Sequence, residues 1–166
     1  MADVRVIDSV LAGVPLSAEQ THLIHAALAR KDAAELNTLS QDLPADVRSS
    51  LLALPRLYGD VSVLAEARRV LRPSPLLDEA LDGLQWLATH LSGLDVSFDL
   101  ADLRGYAYYT GMRFALFARD VQGEPAELAR GGRYDEVGAV FGRKRPAVGF
   151  SLDLKELVSA VAPRPL

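Results

Sequence analysis

The chain has 166 residues, 49% of them hydrophobic and 24% charged, at a mean hydropathy of +0.11. A chain of this length buries about 68–70% of its unfolded surface, so a folded core is expected and disorder is excluded. The absence of cysteine excludes disulfides, a thiolate nucleophile and Cys-ligated metal sites, while a net charge of −4 gives no general attraction to a phosphate backbone.

No apolar run reaches the roughly 20 residues of a membrane-spanning helix, and Met1-Ala-Asp-Val-Arg5 lacks the features of a signal peptide. The expectation is a cytoplasmic protein without a nucleic-acid or membrane partner. Texture changes near Gly93. All five Phe, four of the five Tyr and eight of the twelve Gly follow it, whereas all three His and the one Trp precede it. This divides the chain into a helical subdomain, 1–93, and a strand-rich part, 94–166.

In the first part, Ser17-Ala-Glu-Gln20 and Asp32-Ala-Ala-Glu35 have the capping-box spacing and each predicts a helix start. Pro44 and Asp46 open a third helix that Pro55 interrupts. Asp60 is placed to cap a helix over 61–71. Ser74-Pro75 pairs a cap with proline at the first helical position, and the apolar stripe from Leu76 to Leu91 runs until Ser92-Gly93.

After Gly93, residues 96–100 alternate like a strand, 114–118 form an apolar run, and 126–129 make a short strand broken by Gly131-Gly132. Gln122-Gly123 is a hairpin turn between the last two. Residues 134–141 read as a helix and 147–150 as a strand, after which Asp153 caps a last helix to Val161. The fold class is α+β, an antiparallel sheet carrying helices.

Several groups carry possible chemistry. His22 and His25 share a helix face, but that helix supplies no third metal ligand, so both read as surface histidines. Trp86 reads as core, and Arg143-Lys-Arg145 as a solvated loop with an anionic ligand as the alternative. In Arg130-Gly-Gly-Arg133-Tyr-Asp135, adjacent glycines admit close backbone approach, and Arg133 has a fork suited to carboxylate or phosphate. A turn with an Arg–Asp pair is the plainer reading. Leu103-Arg-Gly-Tyr-Ala-Tyr-Tyr-Thr-Gly111 adds an arginine, three phenols and two glycines, suited to a small polar ligand or to plain strand packing.

Taken together, Arg104-Gly105, Tyr108-Tyr109-Thr-Gly111 with Phe114, Gly131-Gly132-Arg133-Tyr134-Asp135 and Pro146-Ala-Val-Gly-Phe150 resemble the histidyl-tRNA synthetase family in order and spacing. The resemblance implies part of the antiparallel sheet of a class II synthetase core over about residues 96–161. It also implies a histidine-like pocket of Arg104, Tyr108, Tyr109, Gly131, Gly132, Arg133 and Tyr134, with the arginines as charge partners and the tyrosines as ring contacts.

The departures point to a paralogue. Where that family carries a Gly-Leu-Glu-Arg stretch whose arginine holds ATP, this chain reads Asp153-Leu-Lys-Glu156, and Ala107 and Ala115 stand where acids are usual. The pattern resembles the synthetase-like regulatory subunits of short-form ATP phosphoribosyltransferase, also through Lys31-Asp-Ala-Ala-Glu-Leu36 and Leu54-Pro-Arg-Leu-Tyr-Gly59. That resemblance implies a non-catalytic subunit without cofactor, a homo-oligomer within a hetero-oligomer with the catalytic subunit of the phosphoribosyltransferase, responding to histidine. It also implies that the family's first half is missing here. The alternatives are a fragment of a divergent synthetase and a helical interaction module whose motif residues only pack.

Overall fold

The computed structural model describes residues 1–119 and 123–161, so Gln122 of the expected hairpin turn lies outside the described residues. The chain forms two compact units, Met1–Ala107 and Tyr108–Leu166.

The first unit is built on helices whose starts follow their caps. It opens with a two-residue strand, β1 (Ala2–Asp3), and α1 (Val4–Leu11). Asp3 accepts the Arg5 backbone N–H at 3.0 Å and pairs with the Arg5 guanidinium, which also reaches Glu79. Helix α2 (Ala18–Ala29) has the full reciprocal box between Ser17 and Gln20. In α3 (Ala33–Leu39) the Asp32 side chain accepts the Glu35 N–H at 2.9 Å, while the Glu35 carboxylate pairs with Arg30.

Helix α4 (Ala45–Ala53) ends in a 3-10 turn over Leu54–Arg56, where Pro55 has no N–H to continue the ladder. Strand β2 (Tyr58–Gly59) follows, then α5 (Ser62–Val70), whose first N–H and hydroxyl both donate to Asp60 Oδ1. In α6 (Pro75–His90) the Ser74 hydroxyl accepts the Leu77 N–H at 3.1 Å.

The packed faces follow helical spacing. Val6, Ile7 and Val10 of α1, Ile24 and Leu28 of α2, and Leu77, Leu81 and Leu84 of α6 are buried, and each such side chain contributes about 1.5–3 kcal/mol of transfer free energy. Strand β3 (Phe98–Asp99) pairs antiparallel with β2 and buries Phe98 in this unit. The amino terminus is tied beside it: the Met1 ammonium donates to the Ser97 carbonyl at 2.6 Å and Asp99 N–H to the Met1 carbonyl at 3.0 Å.

Two side chains differ from their sequence reading. Trp86 is 59% exposed and stacks on the His90 ring, because the buried stripe of α6 runs through Leu77, Ala80, Leu81 and Leu84 and leaves position 86 on the opposite face. His25 is half-buried rather than on the surface, its ring edge-on to Tyr106 with centroids 4.4 Å apart. The Tyr106 hydroxyl donates to Asp8 Oδ1.

The second unit holds three antiparallel strands in sequence order, β4 (Met112–Arg119), β5 (Pro125–Arg133) and β6 (Val148–Leu152). Strand β5 is longer than expected and runs through Gly131 and Gly132 instead of breaking there. A bulge shifts the β4–β5 register between Leu116 and Phe117. The expected helix over 134–141 is reduced to a 3-10 turn at Val137–Phe141, ended by Gly142 at φ +84°. Helix α7 (Leu154–Val161) starts as expected at Asp153, whose carboxylate accepts the N–H groups of Lys155 and Glu156.

Candidate functional site

Across the second unit's sheet, Arg113 of β4, Gly132 of β5 and Gly149 of β6 stand opposite one another, so their Cα–Cβ directions share one face. That face is cut away at the two glycines. A Cβ on Gly132 would lie 2.9 Å from Tyr109 Cδ1, and one on Gly149 would collide with the Tyr134 hydroxyl. The glycines form a floor on which two aromatic rings rest. Strands β5 and β6 therefore run on through Gly132 and Gly149: absent side chains make room for the two rings.

Tyr108 joins the two. Its ring is edge-on to Tyr109 at 5.3 Å and tilted against Tyr134 at 4.9 Å, giving three phenols in one cluster. Packing by the other rings pushes the Tyr108 phenol above its ordinary value, chiefly through desolvation and then through Tyr134 and Tyr109. Tyr108 remains 48% exposed, so one ring of the cluster is open to solvent.

Asp135 organises the backbone around these rings. It accepts the Ala147 N–H at 3.0 Å and Arg133 Nε–H at 2.8 Å, while its own N–H donates to Thr110 Oγ1 at 3.0 Å. Thr110 N–H donates to the Arg133 carbonyl at 2.8 Å and Tyr134 N–H to the Ala147 carbonyl at 2.9 Å. The Ala147 N–H and then the Arg133 guanidinium hold the Asp135 carboxyl below the usual carboxylate range. Arg133 therefore stands beside a fixed anion, its side chain 46% exposed.

The structure thus brings together Tyr108, Tyr109, Gly132, Arg133 and Tyr134 of the sequence-derived pocket in one unit, whereas Gly131 turns its Cα–Cβ direction to the other face of the sheet, against Phe150. Arg104 belongs to the other, where its guanidinium forks on Asp102 with Nη2 to Oδ2 at 2.8 Å. Two residues of the site escaped the sequence reading: Thr110, visible inside its motif without a role, and Arg113, overlooked beside the apolar run that follows it. The one signal for Arg113 in the sequence was an arginine at the head of an apolar run, one residue before Phe114. Asp135 entered only as the acid of an Arg–Asp pair, which it forms with Arg133. Arg113 is 5% exposed, with its guanidinium carbon 5.9 Å from the Tyr109 ring centroid.

Glu156, where a synthetase's ATP-holding arginine is expected, lies partly exposed in the first turn of α7. An acid there suits the positive end of the helix dipole and opposes a phosphate. Among the described residues, no helix is long and apolar enough to cross a membrane.

Comparisons with known proteins point the same way. The family described as Histidyl-tRNA synthetase matches residues 1–157. A protein of Albidiferax ferrireducens named ATP phosphoribosyltransferase regulatory subunit is 55% identical over 166 residues, all of this chain and 43% of its own length. One of the same name from Acidovorax sp. is 56% identical over 162 residues, 98% of this chain and 42% of that protein. The chain thus spans less than half the length of these relatives.

Among solved structures, a Bacillus halodurans protein titled ATP phosphoribosyltransferase regulatory subunit/histidyl-tRNA synthetase superposes at a TM-score of 0.76 with 24% identity, over 98% of this chain and 43% of that one. A histidine–tRNA ligase subunit from Alicyclobacillus acidocaldarius superposes at 0.64 with 28% identity, over 96% of this chain and 52% of that one. The α+β class and the class II synthetase-like sheet expected from the sequence are those of these neighbours. The motifs, the tyrosine cluster over its glycine floor and the match over residues 1–157 together establish that the chain belongs to the histidyl-tRNA synthetase family.

Proposed function

We propose that this chain is part of a non-catalytic regulatory subunit of ATP phosphoribosyltransferase, acting in histidine biosynthesis together with a separate catalytic subunit. The observation that carries the reading is the 55% identity over the whole chain to a relative bearing that name. Glu156 adds to it, since electrostatic stabilisation of reacting phosphates is the main term in adenylate chemistry and this position supplies the wrong sign.

In this reading the tyrosine cluster receives a histidine-like ligand. Tyr108, Tyr109 and Tyr134 offer ring faces and hydroxyls, Gly132 admits the ligand close to backbone while Gly131 lets β6 approach from the other face, and Arg104 and Arg133 serve as charge partners. The subunit forms a homo-oligomer within the hetero-oligomeric enzyme and works in the cytoplasm.

The test is reconstitution. The full-length protein, mixed with the catalytic subunit from the same genome, is expected to make ATP phosphoribosylation sensitive to histidine. Activity and sensitivity that are the same with and without it would overturn the reading.

The second reading, a divergent synthetase, is favoured by the 28% identity to the Alicyclobacillus ligase subunit. Histidine-dependent exchange between ATP and pyrophosphate by the full-length protein would establish it in place of the first.

A further inference from the structure

In the turn that carries Arg104, residues Arg104, Gly105 and Ala107 are exposed, while Tyr106 is half-buried. Gly105, at φ +72°, lets the chain reverse there, and Tyr106 N–H closes the turn on the Leu103 carbonyl at 2.9 Å. The Tyr106 hydroxyl donates to Asp8 Oδ1 of α1, and its ring lies edge-on to His25 of α2 with centroids 4.4 Å apart. Burial, and then the bond to Asp8, push the phenol well above its ordinary value, so it stays a donor around neutral pH. His25 Nε2 is buried and has no hydrogen-bond partner among the described residues.

We propose that Asp8, His25 and Tyr106 form a proton-released catch, which holds the Arg104 turn on helices α1 and α2 while His25 is neutral and frees it when His25 takes up a proton. An imidazolium has two N–H donors and a charge to solvate, and the buried Nε2 finds no acceptor until Tyr106 withdraws and water enters. Burial accordingly lowers the His25 pKa against the pull of Asp8, and His22 on the same helix adds to the lowering. The other charged groups of the neighbouring elements are committed elsewhere. On α1, Arg5 pairs with Asp3 and Glu79; on and beside α3, which packs on α2, Glu35 pairs with Arg30 and Lys31 with Asp99. The seated turn excludes the proton, so it is favoured above the ordinary histidine pKa of 6.5 and loses its advantage as pH falls below it. Where Arg104 serves the histidine pocket, the reading on which this consequence rests, histidine feedback weakens on acidification.

The Tyr106 amide reports the catch directly, because its N–H closes the turn. Hydrogen exchange at that amide, corrected for the intrinsic rate, is measured in the full-length protein at about pH 7.5 and about pH 5.5, on either side of the ordinary histidine value. Protection is expected to fall about threefold or more toward acid in wild type. It is expected to stay level in His25→Gln, which is neutral throughout, and in His25→Phe, which keeps a ring against Tyr106. Equal protection at the two pH values in wild type would overturn the catch without recourse to any variant, and so would an equal fall in all three proteins. For the link to the pocket, the histidine concentration for half-inhibition of the reconstituted enzyme is followed against pH in wild type and His25→Gln, so that titration of the free amino acid cancels. It is expected to rise about threefold more toward acid in wild type. Parallel curves would overturn the link, whereas no inhibition by histidine at any pH would overturn the reading of function and leave the catch to the exchange result.

Discussion

The Tyr134 hydroxyl lies directly over the Cα of Gly149, in the space where any other residue would carry its Cβ. Gly149→Ala must therefore push Tyr134 out of the cluster or bend β6. Overpacking of this kind costs about 1–3 kcal/mol. A lower melting temperature together with a changed near-ultraviolet tyrosine signal is expected, and an unchanged signal would show that Tyr134 does not depend on the glycine.

Ser74 caps the longest helix of the first unit, and its hydroxyl is the acceptor for Leu77 N–H. Ser74→Ala is expected to cost about 1 kcal/mol, because the orphaned N–H regains only water. Denaturant unfolding should show a lower midpoint with an unchanged slope, and Ser74→Asp should restore it.

Tyr106→Phe removes the hydroxyl that donates to Asp8 and leaves a partly buried carboxylate without that donor. A hydrogen bond to a charged group is worth about 1.5–3 kcal/mol, with the lower end apt for this half-buried pair. Chemical denaturation of wild type and variant measures it, and a loss below a few tenths of that range would contradict the geometry.

Burial lowers the His25 pKa from its ordinary 6.5, outweighing the opposing pull of Asp8, while His22 adds to the lowering. The unfolded chain then binds a proton that the folded chain resists. Stability is full above the unfolded value and falls as pH drops from about 7 toward 5. His25→Phe, which keeps a ring against Tyr106, should flatten melting temperature against pH over that window. An equal slope in wild type and variant would assign the dependence elsewhere. Asp135, held low by its hydrogen bonds, contributes in the opposite range: its stabilisation is present above the ordinary carboxylate pKa and is lost only as pH falls below it.

If the histidine pocket is as proposed, Arg104→Ala in the full-length protein should raise the histidine concentration for half-inhibition roughly tenfold, the equivalent of one charge-assisted bond. Tyr108→Phe should act by only a few-fold. Sedimentation should show both complexes intact, and an unchanged half-inhibition value for Arg104→Ala would remove that residue from the pocket.

The parts of this fold that were legible in the sequence are those written in local chemistry. Ser17, Asp32, Ser74 and Asp153 each satisfy a backbone N–H within three residues, so the helices start where the side chains require. Helix α1 was missed although Asp3 caps it and Val6, Ile7 and Val10 have helical spacing; at 8 residues its pattern is too short to stand out. Strand β5 was cut short because Gly131-Gly132 locally signals a turn, whereas the strand pairing and the rings above it decide otherwise. The helix expected at 134–141 gave way because Asp135 spends its carboxylate on Ala147 and Arg133, partners that no local pattern displays. The site was legible as motif residues, but Arg113 depends on facing Gly132 across two strands, which only the register reveals.

The pair of hydrogen bonds from Tyr134 N–H to the Ala147 carbonyl and from Ala147 N–H to Asp135 pinches the chain together at both ends of the segment between them. Everything inside that neck, including Arg143, Lys144 and Arg145 and the left-handed Gly142, hangs from a closed base. The loop is mechanically insulated from the tyrosines: its length and charge can drift through evolution, or accept an inserted tag, while the rings beside its root keep their places.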